Sequence, residues 1–173
     1  MEQHTDYSLC LCNGMDVDLE GNLICERIST YESRVFSTEE ILASVGNSFL
    51  NCGSFYRVSM AKSVTSEWRM GEVGDVPFRC FLALKGGVYC FADKMCCYRR
   101  AVPGSWTCRV ERSKDQERRI RYAESCVKFY HFLKTQCGEK YQDVVNEKIE
   151  RWQYMLALES ADWKSMCKKE YRK

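Results

Sequence analysis

The 173 residues include only 2 prolines and 2 histidines, and no apolar run approaches the length of a membrane span. Each scarcity excludes something. A helix needs about 18–20 consecutive apolar residues to cross a bilayer, so no transmembrane segment is expected. Few prolines and 10 glycines exclude a collagen-like or low-complexity chain. His4 and His131 alone are available for a Cys–His nucleophile pair, and neither has a recognisable partner. The P-loop, G-x-S-x-G and H-E-x-x-H patterns are all missing. The chain is therefore expected to be non-enzymatic. Residues Met1-Glu2-Gln3-His4-Thr5-Asp6 are polar and acidic, without the basic start and apolar stretch of a signal peptide. That predicts a reducing, intracellular compartment, where thiols stay free or bind metal.

What is abundant is cysteine, 12 in all, against a background of 45% hydrophobic and 13% aromatic residues. Such a composition supports a buried core and excludes a disordered chain. The net charge of +2 hides a gradient. Residues 1–76 carry 5 basic and 12 acidic side chains, residues 77–108 carry 5 and 1, and residues 109–173 carry 16 and 11. An acidic front and a basic back point to a polyanionic partner for the back half, or to attraction between the halves.

Three regions follow, with no internal repeat. Residues 1–76 read as a cysteine knuckle plus an acidic helical stretch. The turn signals are Asn13-Gly14 and Glu20-Gly21-Asn22, with a short hairpin around Val17–Leu19 and Leu23–Cys25. Ser37-Thr38-Glu39-Glu40 fits the S-x-x-E capping box and predicts a helix over 38–50, with Gly53 beyond its end. Residues 56–70 are ambiguous, with apolar spacing that favours a second helix. Residues 77–112 read as a small antiparallel β-unit. Its strands are Phe78–Leu84, Val88–Phe91 after the turn Lys85-Gly86-Gly87, and Trp106–Val110 after Pro103-Gly104. Residues 113–173 read as a helical tail opened by the box Ser113-Lys114-Asp115-Gln116. Gly138 splits it into helices over 114–137 and 140–168, a hairpin, with one coiled-coil strand as the alternative. The expected class is α+β: a small antiparallel β-unit with a short N-terminal helix and a long C-terminal helical hairpin or coiled coil.

A structural zinc site takes four cysteine or histidine ligands held tetrahedrally. Two groups could supply them. One is His4, Cys10, Cys12 and Cys25, with Cys52 able to replace His4. The other is Cys90, Cys96, Cys97 and Cys108, with Cys80 in reserve. Cys80 and Cys90 could equally face a sheet core. Cys126, Cys137 and Cys167 read as small buried apolar residues. Arg99, Arg100, Arg109, Arg112, Lys114, Arg118, Arg119 and Arg121 could track a phosphate backbone, with Tyr98, Trp106 and Tyr122 near enough in sequence to stack. The competing reading is a solvated face balanced by Glu111, Asp115, Glu117 and Glu124.

Cys10-Leu11-Cys12-Asn13-Gly14, Cys25-Glu26-Arg27 and Tyr31-Glu32-Ser33-Arg34 are similar to the N-terminal zinc-finger-like region of the hordeivirus gamma-b protein. The whole layout resembles the cysteine-rich proteins of rod-shaped plant RNA viruses, furoviruses especially. The resemblance implies a suppressor of host RNA silencing and pathogenicity factor in the host cytoplasm. It implies self-association through residues 113–170 and, for the gamma-b type, binding of zinc and RNA. Where the furovirus pattern has C-G-x-x-H, Cys52-Gly53-Ser54-Phe55-Tyr56 ends in tyrosine. The basic stretch of gamma-b has no counterpart at 35–70, so RNA contact would fall to residues 99–121. The alternative is a zinc-stabilised protein–protein adaptor that binds no nucleic acid.

Overall fold

The Ser37-Thr38-Glu39-Glu40 box forms as its sequence predicts. The Ser37 hydroxyl accepts from the Glu40 amide at 3.1 Å, and the Glu40 carboxylate accepts from the Ser37 amide at 2.8 Å. The helix it opens, α1 (Thr38–Ala43), buries Ile41 and Leu42 but ends at Ser44, well before the expected residue 50. The computed structural model describes residues 1–44, 49–69, 74–110 and 115–162. It divides into two compact units, Met1–Trp68 with Asp75–Pro103 and Arg69–Gly74 with Gly104–Lys173.

The first unit holds a five-stranded sheet: β1 (Tyr7–Val17), β2 (Leu23–Arg27), β3 (Arg34–Phe36), β4 (Ser54–Tyr56) and β5 (Gly87–Arg99). Along the order β2-β1-β5-β3, β1 and β5 are the central strands, and β4 also pairs with β1. The expected hairpin is present: β1 and β2 run antiparallel, joined by a turn in which Gly21 has φ +97. The Asn13-Gly14 turn is not. Both residues lie inside an 11-residue strand whose positions 8–14 are all buried. A strand covered on both faces loses the apolar–polar alternation that would reveal it.

The antiparallel β-unit expected at 77–112 is also corrected. Of its three strands only Val88–Phe91 is a strand, within β5. Its longest pairing is parallel, with β1. Parallel neighbours need a long crossover. Here it includes α1, α2 (Val58–Ala61) and α3 (Asp75–Lys85), with single 3-10 turns at Asn51–Gly53 and Ser66–Trp68. Residues Phe78–Leu84 thus belong to a helix. A short apolar run does not distinguish strand from buried helix by period. Pro77 sits in the first helical turn, where its missing amide has no helical partner to lose. Phe81 meets Trp68 edge-on at 5.2 Å, and Phe78 meets Tyr56 at 5.1 Å. The guanidinium of Arg79, only 4% exposed, lies 5.4 Å from the Phe49 ring centre. Gly86 and Gly87 connect helix to strand rather than strand to strand. A Cβ at Gly86 would stand 2.6 Å from the Asp6 carbonyl oxygen.

The second unit is helical. Residues Trp106–Val110, expected as a strand, form α4, and the Ser105 hydroxyl accepts from the Cys108 amide at 3.3 Å. Helix α5 (Gln116–Gln136) is capped by Asp115, whose carboxylate accepts from the Arg118 amide. Ser113 and Lys114 of the expected box lie outside the described residues. A 3-10 turn at Glu139–Tyr141 follows Gly138, and α6 (Gln142–Glu159) completes the unit. Helix α5 buries Ala123, Cys126, Phe129, Tyr130 and Leu133, with Cys137 just past its end, and α6 buries Val144, Val145, Ile149 and Ala157. The helices run in opposite directions: Arg119 near the start of α5 bonds Glu159 at the end of α6, at 2.7 Å. Residues 163–168 of the expected second helix, with Trp163 and Cys167, lie outside the described residues.

Candidate functional site

On β1, Cys10, Cys12, Gly14 and Asp16 share one face, because alternate residues of a strand point the same way. Strand β5 runs beside it with Cys96 opposite Gly14. Gly14 has no side chain to fill the space between them. The Cys96 thiol leans across it and stops 4.0 Å from the Cys12 sulfur. A Cβ at Gly14 would sit 2.7 Å from Cys96 Sγ. The Asn51–Gly53 turn closes the cluster. A Cβ at Gly53 would lie 2.7 Å from Cys12 Sγ and 2.8 Å from Cys96 Sγ. The Cys52 thiol donates to the Cys97 carbonyl at 3.9 Å and is near enough to Cys96 to influence its titration. Cys12 is buried, Cys96 half-buried and Cys52 exposed. Burial, then the neighbouring Cys52 and Cys12, hold the Cys96 thiol well above the ordinary range.

The bend that brings Cys96 into place is set one residue earlier. The β1–β5 register shifts on both sides of Asn13. The buried Asn13 amide donates to the carbonyls of Thr30 at 2.7 Å and Ala92 at 2.8 Å. Its oxygen accepts from the Ser29 amide at 2.7 Å and the Thr30 amide at 3.3 Å. One side chain thus satisfies backbone groups that the irregular ladder leaves over.

Beyond the thiols, Asp16 is 1% exposed. Its Oδ2 accepts from Arg27 at 2.6 Å and 2.9 Å and from Arg100 at 2.7 Å. Cys25 sits 3.6 Å from the same oxygen, and burial together with the Asp16 charge raises its pKa.

The two expected ligand sets are not brought together. His4 stacks on Tyr7, centroids 4.9 Å apart, beside a cavity of about 310 Å³ that Cys10, Tyr89 and Phe91 also line. Arg57 holds that N-terminal segment by donating to the carbonyls of Met1, His4 and Tyr7. Cys25 is on the edge strand β2. Cys80 on α3 and Cys90 on β5 are core residues, and burial pushes Cys90 up to about 11. Cys97 follows Cys96 on an extended strand and so points to the opposite face. Cys108 lies on α4, in the other unit. Cys12, Cys52 and Cys96 are instead one residue from each of three separate stretches. Their sulfurs are donors of the kind zinc takes, but they number three where a closed site needs four. Among the described residues, no three His, Cys, Asp or Glu side chains stand arranged to hold a metal ion.

The arginines are divided in the same way. Arg99 is exposed at the end of β5, while Arg100 is held by Asp16 and lies 5.2 Å from the centre of the Tyr98 ring. Arg109 is exposed on α4 and Arg118 is half-buried on α5. Arg119 is paired with Glu159, and Arg121 with Glu117 at 3.6 Å. Arg112 and Lys114 lie outside the described residues. Trp106 and Trp152 each meet Tyr122 edge-on at 5.5 Å.

Sequence patterns read Asn13-Gly14 as a turn and Gly53 as a helix stop, and passed over Asp16. Asn-Gly is the strongest short turn signal, and here it marks a strand irregularity instead. Neither a family model, nor a curated protein, nor a solved structure matches this chain.

Proposed function

We propose that this chain is a non-enzymatic viral suppressor of host RNA silencing and pathogenicity factor that acts in the host cytoplasm by binding a host silencing protein. The cysteine-rich plant-virus resemblance suggests the biological role. The observation that carries the protein-binding mode is a set of exposed apolar side chains on the short strands flanking β1 and β5. Leu23 and Ile24 on β2, Val35 on β3, and Phe55 and Tyr56 on β4 are each between 47% and 60% exposed. Flanking strands also offer backbone groups to an added strand, a common mode of peptide capture.

RNA binding is the second reading, favoured by Arg109 on α4 and Arg118 on α5, the helices that carry Trp106 and Tyr122 of the Trp106–Tyr122–Trp152 ring series. It is weakened by the acidic partners of Arg119 and Arg121. Self-association through residues 113–170, as a helical hairpin or a coiled coil between copies, and a structural zinc complete the proposal. None of the helices described is long and apolar enough to cross a membrane.

A silencing-reporter assay in leaf tissue tests the role. Wild type should restore reporter expression, and Phe55→Lys with Ile24→Lys should abolish that effect while leaving the fold intact. A gel shift with short duplex RNA separates the modes. Binding that falls steeply with salt supports RNA contact, and no shift at any salt supports the protein partner. Zinc content of the purified chain and light scattering test the metal and the self-association.

A further inference from the structure

We propose that the cavity between the N-terminal segment and β5 binds a small, flat, uncharged heteroaromatic molecule of two fused rings, of the indole or purine class. The cavity measures about 310 Å³, and Cys10 forms part of its wall. Tyr89 stands beside Cys10 in the β1–β5 register, and Phe91 follows two residues on along the same face. The two rings meet at 71° with their centres 5.0 Å apart. A flat ring entering that corner stacks on one wall and turns its edge to the other, the two arrangements that aromatic pairs prefer. Tyr7 forms the next wall, inclined 19° to Tyr89 at 6.2 Å, and His4 stacks on Tyr7.

These walls are fixed before any ligand arrives. Tyr7 lies flat against bare backbone, since a Cβ at Gly87 would stand 2.6 Å from Tyr7 Cδ1 and 2.9 Å from Cε1. Arg57 ties the segment that carries His4 and Tyr7 by donating to the carbonyls of Met1 at 2.9 Å, His4 at 2.8 Å and Tyr7 at 3.0 Å. A preformed site spares the cost of ordering loops on binding. Size selects the ligand. An apolar cavity of about 150 Å³ holds one benzene ring, so twice that volume suits two fused rings. Gln3 and His4, also lining the cavity, bring donors and acceptors for ring nitrogens. Aromatic walls also attract cations. Here no acidic side chain is among the described residues that line the cavity, and the Arg57 charge sits on the same segment, so a cation is disfavoured. The inference stands apart from the silencing role and from zinc, since it needs neither.

Amide NMR spectra of the full chain, with chelator present, are recorded as indole, adenine, cyclohexanol or choline is added. At least one of indole and adenine should saturate with a Kd below about 1 mM, its shifts centred on Cys10, Tyr89 and Phe91. Cyclohexanol, which is not flat, and choline, which is charged, should bind roughly tenfold more weakly, the worth of one aromatic pair. Tyr89→Leu should weaken binding of the flat ring by about the same factor, and Tyr89→Phe should restore it. The proposal is overturned if neither flat ring gives a saturable shift, if choline or cyclohexanol binds as tightly, or if the shifts centre elsewhere. The wild-type comparison needs no variant to fold.

Discussion

The sulfur of Cys96 rests 4.0 Å from that of Cys12, on the far side of a glycine that leaves the gap open. Parallel pairing of β1 and β5 places Cys96 opposite Gly14, and the bare backbone at 14 lets its thiol tilt towards position 12. The environment of the cluster is therefore a property of two glycines as much as of three cysteines.

Gly14→Ala should destabilise the chain by about 1–3 kcal/mol, the usual range for overpacking a filled interior. The added Cβ would meet Leu50 Cδ1 at 2.6 Å, Cys96 Sγ at 2.7 Å and the Cys96 carbonyl at 2.8 Å, and the carbonyl belongs to the β5 backbone. At Gly53 the nearest obstacles are the Cys12 and Cys96 sulfurs. Adding Cys96→Ala to Gly53→Ala should therefore recover part of its loss. Adding it to Gly14→Ala should recover less. Urea midpoints of the four variants decide this.

Asn13→Ala should cost at least about 2 kcal/mol, because buried groups lose partners at roughly 1–3 kcal/mol each. The Ala92 and Thr30 carbonyls and the Ser29 and Thr30 amides all bond this one side chain. Hydrogen exchange at the Ser29 and Thr30 amides should accelerate in the variant. Unchanged protection there would remove the role assigned to Asn13.

Asp16→Asn leaves the Arg27 and Arg100 charges facing a neutral amide in a nearly closed site. The expected loss is about 3 kcal/mol, the low end for removing one partner from a buried ion pair, since both arginines keep some solvent contact. A double-mutant cycle with Arg100→Gln should show coupling above about 0.5 kcal/mol. Simple additivity would show that the two residues do not act as a unit.

The Arg34 guanidinium first, and the Ser37 amide second, hold the Glu40 carboxyl down at about 2. A folded-state value below the unfolded one means stability that is complete above about pH 4.3, the ordinary glutamate value. It is lost as pH falls from there towards 2. The pair is about two-fifths exposed, so the contribution is that of a surface bridge, below about 1 kcal/mol. Glu40→Gln should flatten that part of the acid limb of a stability–pH curve. Ser37→Ala should cost about 1 kcal/mol at neutral pH through loss of the cap.

Locally encoded features were readable. The Ser37–Glu40 box, the hairpin from Val17 to Leu23 and the break at Gly138 each depend on residues within a few positions of one another. Cys126 and Cys137 were readable as small buried residues, because free cysteine is among the most buried residue types. Phe78–Leu84 and Trp106–Val110 were misread, because a short apolar stretch suits either a strand or a buried helix until its neighbours are known.

The amino-acid sequence by itself determined the α+β class, the helix caps and the stock of thiols, since these follow from backbone hydrogen bonding and composition over a few residues. Only the tertiary structure decided which thiols meet. Cys12, Cys52 and Cys96 come from a central strand, a turn and another central strand. Their meeting requires a parallel pairing across a crossover of three helices, a register shift at Asn13 and two glycines that a spacing rule reads as a turn and a helix stop. Cysteine spacing measures distance along the chain. Ligand sets and disulfide partners depend on distance through space, and across a crossover connection the two are unrelated.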